Sequence, residues 1–403
     1  MILENVLQFI AKHPTIFIFY GIIIALVIIF RKKIDIQSKV IFLYRMKWGL
    51  KWMDKYSSKF RQWIIMIGYI GVGAGFVGLV AISYILIKNL VDLILNPATT
   101  TGVSLVLPGL NIPGLGVLPF WYWLISIFVI AIVHEFGHGI VARAHNVEVK
   151  NTGIVLFGPI IGAFVEPNED QLKKQMDIKQ YSVLAAGAFS NIILALMALI
   201  LLNFVSFPLQ QGMVEQTGFS FGSYYDQDYP FETAGINPYT LITGINGEEV
   251  KTFQEFNEEL VRYKPGEKIV VNTPSEDYTL TLVESPDNPK KGFLGIQNIE
   301  NEIAIKGSYQ QGIGKVAFYV LEWFNGLGSG GKGFLFWLYL LSFGIGLFNL
   351  LPLPIVDGGR MAQVFFRKLK GEEKGNKLYY RISMFFFLVL LLNLFFPLLV
   401  KLF

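Results

Sequence analysis

"AIVHEFGHGI" (residues 131–140) closes an apolar run that begins near Leu118 and holds no charged side chain before this point. Two histidines and a glutamate inside what reads as a lipid-buried helix need a physical reason. The rest of the 403-residue chain has the same character, with 53% hydrophobic and 16% charged residues, a balance that suits a chain solvated largely by lipid. The expected fold is a multi-pass α-helical membrane protein, with the lipid bilayer as its surroundings. A formal charge of +4 is too small to point to nucleic acid, and no such partner is expected. Cysteine is absent, which removes disulfides and thiolate metal sites. The opening "MILENVLQFIAKH" lacks a basic start and a small-residue cleavage site, and reads as a short interfacial helix rather than a cleavable signal.

Crossing about 30 Å of hydrocarbon takes ~17–25 helical residues. Six uncharged stretches are candidates: Thr15–Phe30, which is short, Trp63–Ile87, Leu118–Ala142, Tyr181–Val205, Gly333–Leu351 and Ile382–Val400. Gly71, Gly75 and Gly78 in the second mark close helix packing rather than chemistry. The loop from Arg31 to Arg61 carries ten Lys and Arg against Asp35 and Asp54, which predicts a cytoplasmic location. Arg360 to Lys377 falls on the same side. The nearly uncharged Lys88 to Gly116 and the long polar segment between spans four and five fall outside the cell.

On a helix, residues i and i+4 lie about 40° apart and about 6 Å along the axis, so His134 and His138 project from one face. With Glu135 they form the HExxH pattern, in which the histidines bind zinc and the carboxylate is a general base rather than a ligand. An uncompensated charge at mid-bilayer depth costs about 2.5–3.5 kcal/mol. A metal ion compensates it.

Zinc needs a third protein ligand. A metzincin-like third histidine would stand at position 144, which is Ala144, with His145 one residue out of step. Glu166 and Asp170 form an E-x-x-x-D pattern similar to that of CAAX-type membrane metalloproteases, but Pro167 interrupts it. Asp357, in "FNLLPLPIVDGGR" (Phe348–Arg360), is favoured by depth: His134 and Asn349 each lie about sixteen residues, or roughly 24 Å, into spans that run in the same direction. Asp357 follows two prolines that end the helix and can turn the chain back toward the metal, and Gly358–Gly359 permits a close backbone approach.

Together "HEFGH" (His134–His138) and N-x-x-P-x-P-x-x-D-G-G (Asn349, Pro352, Pro354, Asp357, Gly358, Gly359) resemble the site-2 protease family of intramembrane zinc metalloproteases. The resemblance implies one zinc ion held by His134, His138 and Asp357, Glu135 as general base, and Asn349 holding or polarising the scissile peptide. "AAGAFSN" (Ala185–Asn191) is similar to the family's G-x-x-x-N motif, through Gly187 and Asn191. "GIVLFGPIIGAFV" (Gly153–Val165) is too broken by glycine and proline for a helix and reads as a hairpin. The resemblance implies that it is membrane-re-entrant and offers a free edge to an extended substrate, with Asn191, Gly153, Gly158 and Gly162 as substrate-binding residues.

After Pro208 the composition turns polar, with short strand-like runs such as "EKIVVNT" and "YTLTLV". Thr233–Leu260 resembles a bacterial-type PDZ pattern, and "GFLGI" (Gly292–Ile296) its closing strand, so an inserted α+β PDZ-like domain is expected, with a possible peptide ligand. "KVAFYVLEWFNGL" (Lys315–Leu327) is amphipathic and aromatic, as a helix on the outer membrane surface would be. The expected organisation is 1–115 for an interfacial helix and two spans, 116–206 for the first part of the catalytic core, 207–300 for the PDZ-like domain, 301–332 for the surface helix and glycine-rich linker, 333–364 for the second part of the core, and 365–403 for a last span. The function expected of this chain is zinc-dependent cleavage of transmembrane protein substrates from the cell membrane, toward the cytoplasmic side. A catalytically silent PDZ-bearing scaffold and a CAAX-type metalloprotease are the rival readings. A transporter is disfavoured, because no matched pair of interrupted helices appears in the two halves.

Overall fold

The first described element is the uncharged helix α1 (Pro14–Ile29), apolar through most of its length. The computed structural model describes residues 14–37, 41–47, 49–96, 106–112, 114–158, 160–226, 228–286 and 288–400; the interfacial helix expected before Pro14 lies outside them. After α1 come strands β1 (Ile34–Gln37) and β2 (Ile41–Met46), helix α2 (Leu50–Lys59), the 35-residue α3 (Arg61–Leu95), and the two-residue strands β3 (Asn111–Ile112) and β4 (Gly116–Val117). Helix α4 (Phe120–Ala144) carries the HExxH sequence. It ends where Asn146 takes a left-handed conformation (φ 60°) and Val147 N–H returns to the Ala142 carbonyl at 2.9 Å, a closure that Asn tolerates well. Strands β5 (Val149–Phe157) and β6 (Ile160–Pro167) then form the expected hairpin, with Gly158 at φ +56° in its turn. Helices α5 (Glu169–Lys173) and α6 (Asp177–Leu201) follow.

The chain divides into two compact units, Asn203–Gly328 and the remainder. In the larger one, α6 is the helix against which α3, α4, α11 (Phe334–Phe348) and α12 (Asp357–Lys370) all pack. Small residues make this possible. A Cβ on Gly68, Gly71 or Gly75 of α3 would run into Ser182, Phe189 or Ala185, and one on Gly346 of α11 would press on the Ala188 carbonyl. Such close approach is how helices associate where no hydrophobic drive exists between them and lipid. The last helix, α13 (Glu372–Val400), lies against α12 and α3. The hairpin is wider than the sequence indicates: β1 and β2 extend it to a four-stranded antiparallel sheet in the order β1-β2-β5-β6, leaving β6 as one edge.

The smaller unit begins with a π-helical turn and α7 (Phe207–Gln211) and is spanned by β7 (Val214–Tyr224) paired with β14 (Ile296–Ile305). Between them lie α8 (Pro230–Thr233), β8 (Gly244–Ile245), β9 (Glu248–Glu249), α9 (Phe253–Leu260), β10 (Lys268–Asn272), β11 (Asp277–Thr281), β12 (Val283–Glu284) and β13 (Gly292–Phe293). Asn246 and Gly247 join β8 to β9 with φ 52° and 86°, the geometry that makes Asn-Gly the favoured tight hairpin turn. Phe219, Phe221, Phe231 and Phe256 are fully buried at its centre. The expected boundary at 300 falls inside β14, whose pairing with β7 carries the unit on to Ile305, and α10 (Gly312–Asn325) belongs to the same unit.

This is a multi-pass membrane architecture. Among the described residues, α3, α4, Asp177–Gln211 and Glu372–Phe395 are long and apolar enough to span a bilayer, and a fifth span results if Gly312–Ser329 and Phe334–Phe348 count as one broken helix. Of the six spans expected from sequence, four or five are found by length and composition among the described residues. The described part of helix α1 has 16 residues, roughly 24 Å. Helix α11 stops at Phe348 after 15 because Pro352 and Pro354 follow.

Candidate metal centre

His134 and His138, one turn apart on α4, turn their Nε2 atoms toward each other at 3.2 Å. The loop after α11 brings Asp357 to meet them. Its prolines hold Leu351–Ile355 out of helix, Gly358 N–H bonds the Asn349 carbonyl at 2.7 Å, and α12 starts at Asp357. Both glycines are required by this fold-back, since a Cβ on Gly358 would collide with the Leu350 carbonyl and one on Gly359 with that of Leu353. Asp357 Oδ2 lies 3.1 Å from His134 Nε2 and 3.2 Å from His138 Nε2, and it is buried with no hydrogen-bond partner. A tetrahedral zinc ion with bonds of about 2.0–2.1 Å has ligand-to-ligand edges of about 3.3 Å. The three atoms therefore fit a single zinc ion, and a buried acceptor without a donor is what such an ion would satisfy.

The outer ring nitrogens agree. His138 Nδ1 donates to the Val183 carbonyl at 2.7 Å, which leaves the Nε2 lone pair facing the centre. His134 Nδ1 lies 3.1 Å from the Asn191 side-chain amide, whose other end is buried without a partner. Amide ends are assigned from their hydrogen-bond network. With Oδ1 toward His134, Nδ1 is the donor and Nε2 again faces the ion. Gly187, one turn before Asn191 on α6, underlies both rings: a Cβ there would sit inside van der Waals contact of both Nε2 atoms.

Glu135 meets the hairpin, where its Oε2 accepts the Val165 N–H at 2.9 Å. Backbone groups alternate along an antiparallel strand. If Val165 N–H points out of the sheet, the backbone of Ala163 and Ile161 on the same edge does too. The ligands, Glu135 and Asn349 open on one cavity of about 340 Å³, closed on its hairpin side by Phe164, Val165 and Pro167. At its rim Arg360 of α12 pairs with Glu169 of α5 at 3.1 Å.

The other candidates are elsewhere. Glu166 takes Arg45 Nε at 3.1 Å and Asn151 Nδ2 at 2.9 Å, and stands apart from the histidines; Asp170 is exposed on α5. His145 bonds Ser182 Oγ at 3.1 Å, and burial, with Lys179 and Arg61 nearby, pushes its pKa down to about 4. Gly153, Gly158 and Gly162 sit on the hairpin but do not line the cavity. Gly153 instead lets β5 lie close under β2, since a Cβ would strike the Tyr44 carbonyl. Arg45, which joins Asp35 at 2.7 Å to Glu166 across the sheet, carried no sequence signal because its partners come from distant strands.

The fold and this centre define a class: an apolar, multi-helix chain in which two histidines of one helix and an aspartate of another could hold a single metal ion beside a glutamate. Residues 122–390 match Peptidase family M50, and the chain belongs to that family. It is similar to the zinc metalloprotease RasP of Shouchella clausii, at 25% identity over 245 residues, covering 53% of this chain and 56% of RasP. A putative zinc metalloprotease of a Nostoc species is 25% identical over 319 residues, 62% of this chain and 86% of that one. An uncharacterized protein of Methanocaldococcus jannaschii is 24% identical over 331 residues, 81% and 78% of the two chains. The match thus spans little more than half the length of RasP.

Proposed function

We propose that this chain is a zinc-dependent endopeptidase of site-2 protease type that hydrolyses peptide bonds within the transmembrane segments of other membrane proteins. The observation that carries this reading is the meeting of His134 and His138 from one apolar helix with Asp357 from the start of another, in a cavity that Glu135 also enters. Held by His134, His138 and Asp357, zinc would supply a Lewis acid for the scissile carbonyl and would lower the pKa of water. Glu135 accepts the proton as water attacks and delivers it to the leaving nitrogen, with no covalent intermediate. Val165 N–H fixes one of its carboxylate oxygens, which orients the other for proton transfer. Asn349 holds the peptide. A helical substrate hides its peptide bonds in its own ladder, and the outward backbone of Ala163 and Ile161 on β6 is suited to hold it extended by strand addition.

The polar unit is, in this reading, a PDZ-like domain on the extracytoplasmic side that binds a peptide or limits substrate size, and the centre lies toward the cytoplasm. The test is cleavage of a single-span substrate co-reconstituted with the protein. Glu135→Gln should lose at least about 10³-fold in kcat, a loss of the size seen when groups acting on the reacting atoms are removed, and keep one zinc per chain. Asp357→Asn should lose the zinc. Cleavage that persists in Glu135→Gln would overturn the proposal, and zinc retained by Asp357→Asn but lost by Glu166→Gln would point to the CAAX-type alternative.

A further inference from the structure

"KWMDKYSSKF" (Lys51–Phe60) repeats a lysine–aromatic pair every four residues: Lys51–Trp52, Lys55–Tyr56, Lys59–Phe60. In α2 a four-residue step stacks like on like, so the repeat becomes two parallel stripes, one of ammonium groups and one of rings. The Trp52 and Tyr56 rings stack at 5.9 Å with 22° between planes, and Tyr56 and Phe60 at 6.3 Å with 12°. Lys59 Nζ lies 5.2 Å from the Phe60 ring centre. All six side chains are exposed, Trp52 by 53%. A third face holds the helix to the catalytic core: Met53 is fully buried against Gly139 of α4, in one cluster with Val141, Val165 and Val183.

The ring stripe does not end with α2. Phe60 leads directly into α3, where Trp63, Met66, Ile67 and Ile70 continue an exposed apolar surface along a helix long enough to span the bilayer. Chain connectivity therefore sets α2 at the level where that span meets water. Rings at this level suit the boundary between acyl chains and headgroups, and lysines beside them suit phosphates. An acidic protein surface would match the lysines alone. It would leave unexplained why the rings run on into the bilayer-facing side of α3.

We propose that α2 is a docking surface for anionic phospholipid headgroups of the bilayer that α3 crosses, with Lys51, Lys55 and Lys59 binding the phosphates and Trp52, Tyr56 and Phe60 resting on the acyl chains. The test uses the full chain in vesicles of equal parts phosphatidylcholine and phosphatidylglycerol, with the acyl chains of one lipid or the other brominated. The Trp52 signal is the difference between the unaltered chain and Trp52→Phe. Brominated phosphatidylglycerol should quench it more strongly than brominated phosphatidylcholine. Each lysine near a membrane surface is worth about fivefold in binding, so Lys51→Gln/Lys55→Gln/Lys59→Gln should remove the preference while Trp52 remains quenched. Equal quenching of the unaltered chain by both lipids would overturn the proposal. So would a preference that survives the triple change, or a Trp52 that neither lipid reaches, as expected if a protein covers α2.

Discussion

Gly187 is among the most constrained residues near the metal centre. Its missing side chain is the space into which both histidine rings lean, so its role is to leave room rather than to bind. Overpacking of this kind costs about 1–3 kcal/mol, and here the displaced atoms would be ligands. Gly187→Ala is expected to keep the helical content of the protein and to lower its zinc stoichiometry well below one, measured by elemental analysis after gel filtration. Full zinc occupancy in that variant would show that the rings can move aside. His145 illustrates the opposite case. It is one of only four histidines in the chain, yet it serves a buried hydrogen bond to Ser182 and meets no metal ligand.

At the scale of elements, the four-stranded sheet and the fold-back before α12 do most to hold the centre in shape. Arg45 on β2 reaches over β5 to Glu166 on β6, next to the residue whose N–H meets Glu135. Both side chains are about one-third exposed, so the pair is worth at most about 1 kcal/mol. Arg45→Ala should leave zinc content unchanged and lower kcat/KM by up to about fivefold in the co-reconstituted cleavage assay; a loss of zinc would mean that the sheet supports the ligands themselves. The hairpin was legible because Gly153, Gly158, Pro159 and Gly162 rule out a helix over a stretch that is otherwise apolar. Strands β1 and β2 were not, since they are short, lie within a basic loop, and join the sheet through β2, which pairs with β5 more than 100 residues later. The fold-back was legible in outline from Pro352, Pro354 and the Gly-Gly pair. That Gly358 N–H closes it on Asn349 was not, because no spacing rule encodes that bond.

Across the whole molecule, the long apolar helices were legible in the sequence. Hydropathy reports composition, but span length is decided by what ends a helix, and α11 ends after 15 residues, ahead of Pro352 and Pro354. The polar unit was legible from its change in composition and its Asn-Gly turn, whereas its limits were not, because β14 and α10 join it through partners at its beginning. Asn325 on α10 is fully buried and donates to the Ser206 carbonyl at 3.0 Å and to Gln210 Oε1 at 2.8 Å, and Gln210 in turn donates to Glu322 at 2.7 Å. Asn325→Ala strands two buried acceptors, at a cost of about 1–3 kcal/mol. It should lower the thermal midpoint of the polar unit, followed by protease sensitivity within Asn203–Gly328, without altering zinc content. The three ligands themselves arrive in two instalments: two imidazoles come early, and the carboxylate that joins them is encoded roughly 220 residues later, beyond the entire polar unit. A ribosome making this chain therefore releases an incomplete centre, and the three side chains can close on one ion only after the insert has been synthesised.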